Sequence, residues 1–326
     1  MAHLEQFAGG VVTFYSFKGG VGRSMAVANV GRLLARDFTG EDRETLLIDW
    51  DLEAPGLHQY FPSVRSSEKG LIDYFHDLAG ALSAETGLYQ ALAAEDRGQI
   101  LARQLPIEKY IVETGAPRLR LMTAGPTDPA LLGQYQKRVV GLDWLSLFQR
   151  FPLAVQAFRE MLTARFSYTL IDSRTGISDT AGVCTAILPD RLVAMFGPNK
   201  QNESVLRVVE AAVEFRRMSD DDRPLIVFPV ASHFDPADLV GLQVSLKTFR
   251  YEFSQLFTRL YGLGECDLTG YFEQVLLLYV PHYSYGEMTV VDREEPNYAG
   301  SLRRSYEELA RWLVERHDPW SAISAG

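Results

Sequence analysis

Cysteine is nearly absent from this chain: two in 326 residues, Cys184 and Cys266, far apart and in no metal-ligand spacing. That excludes a disulfide framework, makes a zinc site a poor expectation, and fits a reducing compartment. Basic charge is also in short supply. Lys and Arg total 32 against 42 Asp and Glu, a net charge of −10. Broad sequence-independent DNA binding needs a basic surface to displace counterions, so nucleic acid is a disfavoured partner. No apolar run reaches the roughly 20 residues that span a bilayer. The first ten residues lack the charged-then-apolar order of a secretory signal. Together these absences predict a cytoplasmic protein without stable membrane insertion. Internal repeats and low-complexity segments are missing too.

What the chain does have is apolar content, 47% of its residues, enough for the core of one large α/β domain or two modest ones. Short β-rich runs recur at Val11–Phe17, Thr45–Asp51, Leu119–Thr123, Tyr168–Asp172, Arg191–Phe196, Leu225–Val230 and Val275–Val280. Most are continuous rather than alternating, as in strands buried on both faces of a parallel sheet. Amphipathic helical patterns separate them. Leu239, Leu242, Leu246, Phe249, Phe253, Leu256 and Leu260 step by three or four. Pro152, a good first-turn residue, opens another pattern carrying Val155, Phe158 and Leu162. This alternation predicts an α/β fold, doubly wound, with a mostly parallel sheet and helices on both faces. One domain over 1–326 is expected, with a helical insertion after the second strand at about 57–117. There no strand pattern is found, and Leu71, Ile72, Phe75, Leu78 and Leu82 mark a helix. Near the end, Leu302, Tyr306, Leu309, Trp312 and Leu313 form an apolar stripe. Glu307, Glu308 and Glu315 dilute the basic face that a membrane-seeking helix needs, so packing on the domain is expected.

The chemistry concentrates after the first strand. Lys18-Gly19-Gly20-Val21-Gly22-Arg23-Ser24 joins strand Val11–Phe17 to a helix pattern over Ser24–Arg36. Strand, glycine loop and helix in this order make a P-loop, in which backbone N–H groups curl onto phosphates and the helix N-terminus faces the negative charge. Ser24 would place its hydroxyl on Mg²⁺. Phe17 stands where the usual pattern begins with glycine, and Arg23 where it has lysine, while a lysine sits five residues earlier.

This loop resembles the deviant Walker A motif of the MinD/ParA group of P-loop ATPases (SIMIBI class), in its arginine-bearing variant. The resemblance implies that Lys18 reaches across a homodimer to the partner's nucleotide and that Arg23 contacts phosphate within its own subunit. It implies ATP and Mg²⁺ as ligands, held by Lys18, Gly19, Gly20, Val21, Gly22, Arg23, Ser24 and Met25, with Gly176 and Pro281 from later loops. Arginine is a planar fork rather than a point charge, so binding should survive the exchange while fast hydrolysis is less assured.

Two apolar strands end in carboxylates. Asp49 and Asp51 alternate at the end of the second, which puts them on one face at the carboxyl edge where open α/β sheets bind ligands. By resemblance Asp51 orients the attacking water and Asp49 joins the Mg²⁺ shell, with the reverse assignment open. Tyr168-Thr-Leu-Ile-Asp172-Ser-Arg-Thr-Gly176 resembles a Walker B strand and its switch. Asp172 would bind Mg²⁺, and Gly176 would give its N–H to the terminal phosphate. Arg174 is expected to form a local ion pair. Candidates for reading the base are Gly197-Pro198-Asn199, Ser232-His233-Phe234-Asp235 and Pro281-His282. Leu119–Gly125 resembles the strand before the family's long helix.

The function expected is an ATP-dependent dimer switch that hydrolyses slowly and regulates or positions a protein partner. The alternative is a non-hydrolysing nucleotide-binding scaffold or sensor, such as one in a bacterial conflict system. A ligase or small-molecule kinase on the same fold is a third reading. An iron–sulfur reductase is disfavoured, because Cys184 is the only cysteine near the switch.

Overall fold

The computed structural model describes residues 10–64, 67–84, 87–176, 182–198, 204–295 and 301–321. Among these residues eight strands form one sheet: β1 (Gly10–Ser16), β2 (Glu44–Asp49), β3 (Val112–Glu113), β4 (Leu119–Met122), β5 (Phe166–Asp172), β6 (Arg191–Phe196), β7 (Ile226–Phe234) and β8 (Leu276–Leu278). Their order is β3-β4-β2-β5-β1-β6-β7-β8. Every pairing is parallel except that of β3 with β4.

Both faces of the sheet are covered, and the strands show why their sequences are continuously apolar. Along β2, Leu46 and Ile48 join one core cluster while Leu47 joins the other; on β5, Ile171 and Leu170 divide the same way. This is the two-residue period of a strand with a hydrophobic layer on each side. One cluster takes in α1 (Arg23–Leu33) and the helices Ser204–Met218, Leu239–Tyr261 and Leu302–Glu315. The other takes in Leu71–Ser83, Arg97–Gln104 and Pro152–Arg165. The fold is therefore doubly wound α/β. The stripe from Leu302 to Leu313 is buried, as its acidic neighbours foretold.

Three elements depart from expectation. The segment after β2 is helical in Leu71–Ser83 and Arg97–Gln104 but closes with β3. That strand has two residues, one half-buried and one exposed, and pairs antiparallel at the sheet edge, so it carries no apolar run to announce it. The helix after the phosphate loop stays α only to Leu33 and continues as a π-turn, Leu34–Phe38. β7 runs on to Phe234, past the expected Val230, through a register irregularity between Ser232 and Phe234.

The insertion has a place in the site. Trp50, between Asp49 and Asp51, is buried with its ring centroid 5.3 Å from Phe75, 5.9 Å from Trp144 and 6.4 Å from Phe158. The helix Leu71–Ser83 thus packs against the residue that separates the two carboxylates, fixing the exit of β2.

Candidate functional site: a phosphate loop facing buried carboxylates

β1 ends at Ser16 and α1 begins at Arg23, so Lys18–Gly22 is a tight turn between them. Gly20 and Gly22 hold φ of +79° and +73°, backbone conformations that side-chain-bearing residues resist. Gly22 is the helix N-cap and supplies no side-chain cap. The N–H groups of Arg23, Ser24 and Met25 meet no acceptor among the described residues. Free donors and the positive end of the helix dipole coincide there, which makes the first turn a cradle for an anion. A Cβ on Gly19 or Gly20 would meet nothing within 4 Å, so one flank of the loop is open. The other flank is closed. A Cβ on Gly22 would lie 2.8 Å from His233 Cε1, and Ser232 Oγ donates to the Val21 carbonyl at 2.8 Å.

Within the loop, Lys18 is exposed and makes no ion pair among the described residues; its Nζ lies 5.9 Å from the Phe17 ring centroid. Ser24 is half-buried, whereas Val21 and Met25 are buried. Arg23 turns inward. Its Nε donates to Asp172 Oδ1 at 2.5 Å, Nη2 to Asp51 Oδ2 at 2.8 Å and Nη1 to Ser16 Oγ at 3.3 Å. The guanidinium so joins the ends of β1 and β5 with the loop after β2. Burial disfavours its charge, but the Asp172 and Asp51 carboxylates more than compensate and hold it protonated.

β2 ends at Asp49, so Asp51 lies in the loop rather than two places along the strand. Asp49 is fully buried and opposite Asp172 in the β2–β5 register. Its carboxylate accepts from the Asp51 N–H at 3.2 Å and the Leu57 N–H at 3.1 Å, which shapes the loop. Burial, reinforced by Asp172, pushes its carboxyl well above the usual carboxylate range. Burial also raises Asp51, with Arg23 opposing the rise. Asp172 is fully buried, and its Oδ2 has no hydrogen-bond partner among the described residues.

After β5 the chain turns through the switch. Arg174 pairs with Glu53 at 2.7 Å, the local ion pair expected of it. Gly176 has φ +75°, and its carbonyl accepts from Tyr15 Oη at 3.1 Å. Among the base candidates, Asn199 lies outside the described residues; Gly197 is buried and Pro198 exposed at the end of β6. His233, at φ +59°, packs on the phosphate loop as described and lies tilted against Tyr279 with centroids 5.0 Å apart. Burial lowers its imidazole below the ordinary histidine value. Pro281 and His282 are exposed and open a short helix after β8, two residues beyond Tyr279.

These residues fit a magnesium-bound nucleotide. The free N–H groups of the first turn of α1 suit phosphate oxygens, and Asp172 Oδ2 is a buried oxygen awaiting a cation or donor. Among the described residues no three His, Cys, Asp or Glu side chains converge into a self-sufficient metal site. Mg²⁺ ordinarily completes its octahedron with phosphate oxygens and water, so a partial protein ligand set suits it.

No protein-family profile matches the chain, and no curated protein matches it in sequence. Solved structures do match. The MinC:MinD cell division protein complex of Aquifex aeolicus aligns with TM-score 0.53 and 15% identity, covering 97% of this chain and 98% of that one. A ParA family ATPase from Chlorobium tepidum TLS aligns with TM-score 0.55 and 15% identity, over 93% and 98%. The septum site-determining protein MinD complexed with Mg-ADP from Pyrococcus horikoshii OT3 gives 0.51 and 14%, over 96% and 99%. Identity this low speaks to architecture, and on that ground the chain has the fold of the MinD/ParA-type P-loop ATPases.

Proposed function

We propose that this chain is an ATP-binding switch that hydrolyses ATP slowly, pairs face to face with a second copy around the nucleotide, and regulates or positions a protein partner. The observation that carries the reading is the uncapped first turn of α1 behind left-handed Gly20 and Gly22, set opposite the orphaned Asp172 oxygen. Backbone N–H groups of the loop would hold the phosphates, joined by Arg23. Ser24 and Asp172 would hold Mg²⁺, with Asp49 beside them in its shell. Bound there, the ion would neutralise charge on the β- and γ-phosphates. Asp51, raised by burial and close to Arg23, would orient the attacking water. Gly176 would sense the terminal phosphate, and Pro281 would line the base side. Lys18, exposed at the rim and without an ion pair among the described residues, would reach the second subunit. A soluble location in the cytoplasm follows from the same reading.

The test is steady-state ATP hydrolysis with Mg²⁺ as protein concentration rises, for the native chain and Lys18→Ala. Specific activity that climbs with concentration in the native chain, and is lost in Lys18→Ala with folding intact, is the expected result. Activity independent of concentration would mean that each chain acts alone and would remove Lys18 from the mechanism. ATP bound but never turned over would favour the scaffold reading, to which the engagement of Arg23 by Asp51 and Asp172 already lends weight.

A further inference from the structure

Tyr15 precedes the phosphate loop on β1 and is fully buried. Burial pushes its phenol far above the ordinary tyrosine value, against a weaker pull from Arg23, so it is a neutral donor at physiological pH. A buried tyrosine hydroxyl needs a partner, and this one has taken the Gly176 carbonyl at 3.1 Å. Among the described residues, three bonds tie the loop leaving β5 to the rest of the fold. The Ser173 N–H donates to the Phe14 carbonyl at 3.1 Å, Arg174 pairs with exposed Glu53 at 2.7 Å, and Tyr15 holds Gly176. Two of the three originate on β1, the strand that runs directly into the phosphate loop. Among the described residues no other side chain bonds to the Gly176 backbone.

Glycine in the left-handed region has broad conformational freedom and no side chain to pack, so an external bond must restrict it. Tyr15 provides that bond from a rigid, fully buried strand. We propose that Tyr15 is a positioning residue of the switch: by holding the Gly176 carbonyl, it keeps this glycine ready for a terminal phosphate and so sets the preference for a nucleoside triphosphate over a diphosphate. The proposal rests on the reading of 172–176 as a phosphate-sensing loop. The physical route is population. When the loop is held, most molecules are competent for the terminal phosphate; when it is released, the apparent affinity for a triphosphate falls with the competent fraction. A diphosphate makes no such contact and is unaffected.

The experiment is Tyr15→Phe in the full chain, which keeps the buried ring and deletes the hydroxyl. Tyr168→Phe serves as control, removing another buried hydroxyl four residues back from Asp172 on β5. Affinities for Mg²⁺–AMP-PNP and Mg²⁺–ADP are measured by calorimetry, and amide exchange over 173–176 is measured without nucleotide. Loss of one neutral hydrogen bond predicts about a fivefold fall in AMP-PNP affinity, with ADP affinity unchanged and exchange over 173–176 faster. Tyr168→Phe should change none of these. Equal falls for both nucleotides would reveal a packing defect and overturn the proposal, as would an unchanged preference. If the native chain bound neither nucleotide, the switch reading itself would fail and take the proposal with it. Exchange over 173–176 would then still report whether Tyr15 restrains the loop, which separates the two failures.

Discussion

Arg23 is the residue on which the site's stability should turn. Asp172 is fully buried and, among the described residues, its Oδ2 lacks a partner and Arg23 is its one side-chain donor, which deleting the guanidinium removes. Breaking a buried pair from one side typically costs about 3–5 kcal/mol. The Asp51 bond adds less, because that carboxylate is 16% exposed and rehydrates. Arg23→Met, similar in length and uncharged, is therefore expected to lose about 3–5 kcal/mol near neutral pH. Arg23→Lys keeps the charge but offers one nitrogen where the fork has three engaged, and should lose about 1–2 kcal/mol. Adding Asp172→Asn to Arg23→Met removes the stranded charge and should recover much of the loss. Urea unfolding followed by tryptophan fluorescence measures each difference. An Arg23→Met protein with the native midpoint and slope would refute the argument.

Gly22→Ala should destabilise more than Gly20→Ala. Both impose a left-handed conformation on alanine, at about 1–2 kcal/mol each, but only at Gly22 would the new Cβ meet His233, 2.8 Å away. Thermal unfolding of both variants, and of Gly22→Ala with His233→Ala, checks this; equal losses for the two alanines would show that the His233 contact is immaterial. Asp49→Asn should change the pH dependence of folding. Burial and Asp172 raise the Asp49 carboxyl in the folded chain. Its protonation therefore favours the fold at low pH, and that contribution is lost as pH climbs through the folded-state value. Asparagine stays neutral, so the variant should gain on the native chain as pH rises, although Asp172 and Asp51 still face it. Parallel urea-midpoint profiles from acid to neutral pH would contradict the prediction.

How far the site could be read in the sequence depended on whether its parts were local. The phosphate loop was legible because strand, glycines and helix follow one another within fifteen residues or so of Gly10, and each has a backbone role set by its own chemistry. Strands β1, β2, β4, β5 and β6 were legible because burial on both faces leaves an unbroken apolar run. β7 was harder. Pro229 sits inside it, which argues against a central strand. β8, however, pairs with β7 only from Ala231 onward, so among the described residues Pro229 has a strand neighbour on the β6 side alone.

Contacts across the chain left no local mark. Nothing near Tyr15 points to Gly176, and nothing near Gly22 points to His233, because each pair meets only when β1, β5 and β7 are laid side by side. Asp49 and Asp51 show the intermediate case. Their spacing suggested one shared face, but the strand ends between them, and Trp50 is drawn under the insertion helix Leu71–Ser83 and against Trp144. One carboxylate is thereby left to hold the loop and the other to meet Arg23. Two residues of one type, two apart, thus acquire different partners and different exposure from the aromatic ring between them. The insertion, which matched no motif, supplies through Phe75 one of the walls that hold that ring.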